Sequence, residues 1–184
     1  MEEIEVPTEK IQEDIHHHAE AAHHDPKEKW ILGVALSTAL LAVVAAIASL
    51  LAGHQSNEAI MEQIKSSDQW SYYQAKGIKA NLLDTKNELL KALGKNPEDS
   101  EISKFAEYKK EQEEIRQKAE EIFRSSENHL HRHNVFASSV MMFQIAIAVA
   151  AISVLTKRKW FWYFSLVFGL FGIVFLMRGY LFAI

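Results

Sequence analysis

Residues 30–53, WILGVALSTALLAVVAAIASLLAG, contain no charged side chain, and no other stretch constrains the fold as strongly. At about 1.5 Å of rise per residue, a helix of this length covers the roughly 30 Å hydrocarbon core of a bilayer with some allowance for tilt. Its start is marked: Asp25 can cap, Pro26 suits the first helical position, and Glu28 stands where a capping box places a carboxylate. Trp30 then falls where an interfacial aromatic belongs. Ala35, Ala39, Ala42, Ala46, Ser49 and Gly53 recur at alternating steps of four and three. All six therefore share one helix face. Small residues on such a face let another helix approach closely, and close packing is the main source of helix association in lipid. The span reads as a packing element rather than a simple anchor.

Composition matters here by its unevenness. The mean hydropathy is near zero, yet it averages three apolar spans with a strongly polar middle. Residues 1–29 carry nine Asp and Glu against three Lys and Arg, residues 54–134 fifteen against thirteen, and the remainder only four cations. No segment is basic enough for a nucleic-acid-binding face. The chain has no cysteine, which excludes disulfides, thiol redox chemistry, thiolate metal sites and Cys nucleophiles. An acidic segment, not a basic one, precedes the first apolar run, so no cleaved signal peptide is expected.

Residues 1–29 form an acidic, His-rich amino-terminal tail, in which Thr8 can cap a short helix over residues 9–24 that ends at Asp25-Pro26. Within it lies HHHAEAAHHD, with His16, His17, His18, His23 and His24 beside Glu20 and Asp25. On a helix, imidazoles three, four or seven residues apart share a side with Glu20, so the tail could hold a divalent transition metal. It could also change charge between pH 5 and 8. A plain solvated tail satisfies the same residues.

Residues 54–134 read as a long antiparallel helical hairpin, coiled-coil-like, turning near 94–99. In the first arm Met61, Asp68, Ala75, Leu82 and Leu89 alternate with Ile64, Ser71, Ile78, Thr85 and Ala92 at heptad spacing, which predicts that this line forms the seam of the hairpin. Gly94 ends that arm, and Asn96-Pro97 with Asp99 opens the next. The second arm places Phe105, Tyr108, Gln112, Ile115, Ala119, Ile122, Ser126, His129 and His133 on one line, with Lys109, Lys110, Glu113, Glu114, Arg116 and Lys118 opposite. Two helices bury little on one narrow seam, and helices draw most of their stability from tertiary packing, so identical neighbours are expected to cover more. Trp70, Tyr72 and Tyr73 fit that expectation: three aromatics within four residues point several ways around a helix, and such a patch marks a contact surface. Anchoring between the arms is the alternative.

Two further spans follow, at 135–156 and 160–180. Ser139, Ala146, Ala150 and Ser153 give the second a small-residue face, and Gln144 lies near its middle. An amide in hydrocarbon is costly unless it bonds another helix or lines a wet cavity. Lys157-Arg158-Lys159 makes a tight reversal. The third span opens with WFWYF and ends near Arg178, which can snorkel to the interface. The positive-inside rule places the KRK turn in the cytoplasm with the amino terminus, and the hairpin outside. No proline separates the first span from the first arm, so one helix can run through Gly53 and Ser56.

EEIEVPTE, ALSTALLAVVAAIASLLAGHQSNEA, SDQWSYYQAKGIKA and HNVFASSVMMFQIAIAVAAISVLTKRKWFWY together resemble the bacterial membrane family called domain of unknown function 4337. The likeness covers essentially the whole chain, and SDQWSYYQAK is its most distinctive part. It implies a three-span bacterial membrane protein with a helical insertion, and it carries no assigned activity or site residues; the expected location is the inner membrane.

The expected fold is thus an all-α membrane protein with three transmembrane helices and a hairpin between spans one and two. Three functional classes fit it. The first is a non-enzymatic structural homo-oligomer, assembled through Trp70, Tyr72, Tyr73, Ala39, Ala42, Ala46, Ser49 and Gln144. The second is a pore or transport component, with Gln144, Ser139 or Ser153 along the path. The third is a metal- or pH-responsive adaptor that uses the tail histidines or a second set, His54 with His129, His131 and His133. The expected partners are the bilayer and further copies, with no nucleic acid, no identified small-molecule substrate, and no cofactor beyond a divalent metal at the tail. No nucleophile motif, phosphate loop or paired-carboxylate arrangement stands out, which argues against an enzyme.

Overall fold

The computed structural model describes residues 29–181. The helix predicted over 9–24 and the histidines His16, His17, His18, His23 and His24 lie outside the described residues. Within them the chain forms three helices, α1 (Lys29–Ala92), α2 (Asp99–Leu155) and α3 (Lys159–Leu181). Each contains a stretch long and apolar enough to cross a membrane. α1 runs through Gly53 and Ser56 without interruption. The described residues divide into two compact units, one of residues 29–55 with 131–181, the other Ser56–Leu130.

Both long helices end in the same hydrogen-bonded cap. At the end of α1, Gly94 takes a left-handed conformation (φ 72°), Gly94 N donates to Lys91 O at 3.0 Å, and Lys95 N donates to Leu90 O at 2.9 Å. These are the paired bonds of a Schellman motif, which satisfies carbonyls the helix leaves free. α2 ends with the same bonds, Lys157 N to Val154 O and Arg158 N to Ser153 O, both at 3.1 Å. There the left-handed position holds Lys157 (φ 52°) instead of glycine, at a cost of about 1 kcal/mol. A cation at that carbonyl-rich end partly offsets the cost. α2 begins with Asp99 and Glu101 in its first turn, where the helix dipole favours negative charge.

In the unit of residues 29–55 and 131–181, three apolar segments pack on small residues. Ile31, Val34 and Ala35 of α1 cluster with Ala150 and Val154 of α2, and Ala45 and Ala48 with Phe143. Ser139, Ala146, Ala150 and Ser153, the predicted small-residue face of the second span, are fully buried. Ser139 Oγ donates to Gly172 O at 2.8 Å, so α3 is held through a backbone carbonyl. α3 turns Ser165, Gly169, Gly172 and Gly179 inward, while its large apolar residues, such as Leu170, Val174 and Met177, stay exposed. A helix apolar all round, packed along its glycines and Ser165 and through Trp162 and Leu176, suits lipid on its other faces.

The line of α1 that packs within this unit shares Ala35 with the predicted alanine seam and then departs from it. Ile31, Val34, Ala35, Thr38, Ala45, Ala48 and Ala52 are buried, Ala39 and Ala42 are half-buried, and Ala46, Ser49 and Gly53 are exposed. Small residues occur on both lines. Phe143 decides between them, because a large ring needs the floor that Ala45 and Ala48 supply.

In the unit Ser56–Leu130, the two arms run antiparallel and exchange hydrogen bonds at steps of seven residues. Ser126 Oγ donates to Ala59 O at 2.7 Å, Ser66 Oγ donates to Ala119 O at 3.0 Å, and Gln112 Nε2 donates to Tyr73 O at 3.4 Å. Ala59, Ser66, Ala80, Asn87, Ile115, Ala119 and Ser126 are buried along this seam. The ion pairs Lys76–Glu111 and Lys86–Glu101 join the arms further along. The second-arm line was read correctly: none of Phe105, Tyr108, Gln112, Ile115, Ala119, Ile122, Ser126 and His129 is exposed.

The first-arm line needs correction. Met61, Ile64, Asp68, Ser71, Ala75, Ile78, Leu82, Thr85, Leu89 and Ala92 are all exposed. Reading by apolar content selects the line with the largest side chains. The arms instead meet where Ala and Ser allow a hydroxyl to reach the opposite backbone, which Leu or Ile on that line would prevent.

Candidate functional site

The predicted second histidine set does not form a cluster. His54 is exposed. His129 Nε2 lies 3.9 Å from Glu62 Oε2, and the His133 ring nitrogen Nδ1 makes a 2.9 Å hydrogen bond to Ala52 O. Among the described residues no three His, Asp or Glu side chains are placed to hold a metal ion. The tail histidines, where the metal expectation was centred, fall outside the described residues.

The aromatic trio divides its work. Tyr73 is half-buried, and its carbonyl accepts the bond from Gln112. Trp70 packs against it edge-on with ring centroids 5.4 Å apart. Tyr72 is half-exposed and contacts Lys76, whose ammonium lies 5.6 Å from its ring centre and 5.1 Å from that of Tyr108. The Glu111 carboxylate, hydrogen-bonded to Lys76, raises the Lys76 pKa above its ordinary 10.5, with the Tyr72 hydroxyl adding to the effect. Two of the three aromatics thus serve the seam between the arms, and Tyr72 faces outward.

On the second arm, Arg116 forms a fork with Glu113, at 2.9 Å through Nε and 2.6 Å through the terminal nitrogen, and reaches Glu120 at 2.7 Å. The guanidinium holds the Glu113 carboxyl below its ordinary 4.5, and Glu113 in turn raises the Arg116 pKa. These bonds follow the helix surface at steps of three and four residues, as solvated faces do.

Opposite the buried seam, α1 presents the ten residues of the heptad line to solvent. Their large members are Met61 (50% exposed), Ile64 (56%), Ile78 (61%), Leu82 (67%) and Leu89 (60%). Exposed apolar residues are ordinary singly, but five along one face of a helix make that face a candidate contact surface. In the other unit, Ala42, Ala45, Ala46 and Ser49 of α1 with Val140, Gln144 and Ile147 of α2 line a groove of about 240 Å³. Gln144 is half-buried at its wall and makes no hydrogen bond to any described residue. Four predicted contact residues, Ala42, Ala46, Ser49 and Gln144, meet in this groove; Ala39 is half-buried one turn earlier.

Pattern reading missed Ser66 and Lys76, although Ala59, Ser66, Tyr73, Ala80 and Asn87 are themselves seven apart. That repeat of small and polar residues was the signal available. No curated protein and no solved structure matches the chain. A family model matches residues 30–182, and so takes in α2, α3 and all of α1 but Lys29. The chain belongs to the family described as Domain of unknown function (DUF4337).

Proposed function

We propose that this chain is a non-enzymatic, multi-pass protein of the bacterial inner membrane whose role is structural: copies assemble into a homo-oligomer that scaffolds the membrane surface. One observation carries the reading, the row of exposed apolar residues Met61, Ile64, Ile78, Leu82 and Leu89 along one face of α1, in a segment too charged to be covered by lipid. Water contact along such a line is unfavourable at about 25 cal/mol per Å², and a neighbouring copy is the simplest cover. The groove around Gln144 supports the same reading inside the membrane, where an amide with no partner among the described residues favours contact with another helix. The positive-inside rule puts the amino terminus and the KRK turn on the cytoplasmic side and the hairpin outside.

Of the residues expected to line a transport path, Ser139 and Ser153 are consumed in packing within one chain. Only Gln144 remains available to a path between copies, so scaffolding is the stronger reading. Native mass measurement of the full chain in mild detergent tests it. A single discrete multimer is expected, and Leu82→Glu with Leu89→Glu should shift it towards monomer while leaving the helical circular-dichroism signal unchanged. A monomer for the unmodified chain at micromolar concentration would refute it.

A further inference from the structure

α1 carries two seams on opposite faces within Ser56–Leu130. Ala59, Ser66, Tyr73, Ala80 and Asn87 meet α2, and the exposed heptad line stands half a turn around the helix from them. Resting on the assembly reading, we propose that this exposed line pairs with the same line of further copies, parallel and in register, so that α1 arms form the centre of a bundle and α2 arms its outside.

Three features select this occupant. First, the line keeps a 3.5-residue repeat from Met61 to Ala92, more than four heptads. A straight helix drifts off such a repeat, and only a partner that supercoils with it stays in contact. Second, the flanking residues of a parallel pair bring no like charges together. One edge holds Lys65, Tyr72, Lys79 and Lys86, the other Ile60, Ser67, Gln74, Asn81 and Glu88. In register, Lys79 meets Gln74 of the neighbour and Lys86 meets its Asn81. In an antiparallel pair centred beside Ala75, which overlaps the two lines fully, Lys65 would face Lys86 twice, which like charges disfavour. All copies inserted with one topology also run their equivalent arms in one direction. Third, the core positions are specific about strand number: Leu82 and Leu89 fall at the first position of the heptad and Ile64 and Ile78 at the fourth, a combination that favours more than two strands.

The polar middle then has a defined role. Asp68 and Ser71, followed by Ala75, fall inside the bundle. A polar layer fixes register at a cost in stability, and here equivalent carboxylates of neighbouring copies oppose one another.

The absence of cysteine makes the test direct, since every disulfide must come from an introduced thiol. Ala75→Cys, Leu82→Cys and Leu89→Cys are made singly in the full chain, with Asp84→Cys, exposed on the same helix but off the line, as control. Ala75→Cys is close to isosteric, so its result does not depend on tolerance of a truncated core. Under mild oxidation in detergent, same-position disulfide dimers are expected several-fold above the control at all three sites. Asp68→Asn should raise the multimer fraction, because it removes facing like charges.

A discrete multimer by native mass without same-position disulfides above the control would overturn the pairing and leave the assembly reading standing. Equal cross-linking at Asp84→Cys would overturn it as random collision. A clean monomer would remove both readings together.

Discussion

Gly172 and Gly53 show how little a residue's identity says by itself. Both sit in helices, but a Cβ built at Gly172 would stand 2.6 Å from Phe143, whereas at Gly53 nothing lies within 4 Å. Opposite outcomes are expected for the same substitution. Gly172→Ala must push a fully buried ring aside and should cost about 1–3 kcal/mol. Gly53→Ala should stabilise by up to about 1 kcal/mol through helix propensity alone. Chemical or thermal unfolding of each variant in one detergent measures both. A third residue, Asn87, is buried in the seam between the arms with its Oδ1 unpartnered among the described residues. An unmet acceptor costs more than an apolar group of similar shape, so Asn87→Leu should raise the unfolding midpoint by the equivalent of about 1 kcal/mol. The sequence presents Asn87 as an ordinary polar helix residue, because nothing local reveals that its side chain is enclosed.

The hairpin arms behave differently as elements. α2 reads correctly from pattern because its inward residues include Ile115 and Ile122, which stand out against a charged background. α1 misleads because its more apolar line faces outward, and the seam between the arms is built from hydroxyl and amide bonds to carbonyls. Ser66→Ala and Ser126→Ala each remove one such bond and should each cost about 1 kcal/mol. Each serine pairs on a different turn of the hairpin, about 10 Å apart along the axis, so the double variant should show nearly the sum. Lys76 adds a pH dependence. Because its folded-state pKa is raised, its contribution is fully present below the ordinary value of 10.5 and is lost as pH rises through the raised one. The hairpin should therefore loosen in strong alkali, and Lys76→Met should flatten the alkaline limb of the unfolding midpoint measured between neutral pH and pH about 11 to 12.

For the whole molecule, the groove at Gln144 provides a check on assembly that does not involve the hairpin. An interhelical hydrogen bond in lipid contributes about 1 kcal/mol, roughly a fivefold change in association constant. Gln144→Leu should weaken association by about that factor in a detergent-dilution series, with α1 to α3 remaining folded, since Gln144 bonds no described residue. The sequence by itself determined three apolar spans, two long polar arms, the turn at Gly94 and the family, because length, charge and capping chemistry are local and survive in a linear pattern. It also placed Gln144 with Ala42, Ala46 and Ser49 among the contact residues. Only the tertiary structure decided which face of α1 meets α2, which glycines are crowded, and which apolar line is left exposed. Those choices depend on where a particular side chain lands on a second helix: Phe143 on Ala45 and Ala48, Ser66 on the Ala119 carbonyl. A periodic pattern specifies that a face exists, and two such faces on one helix are equivalent until a partner occupies one of them.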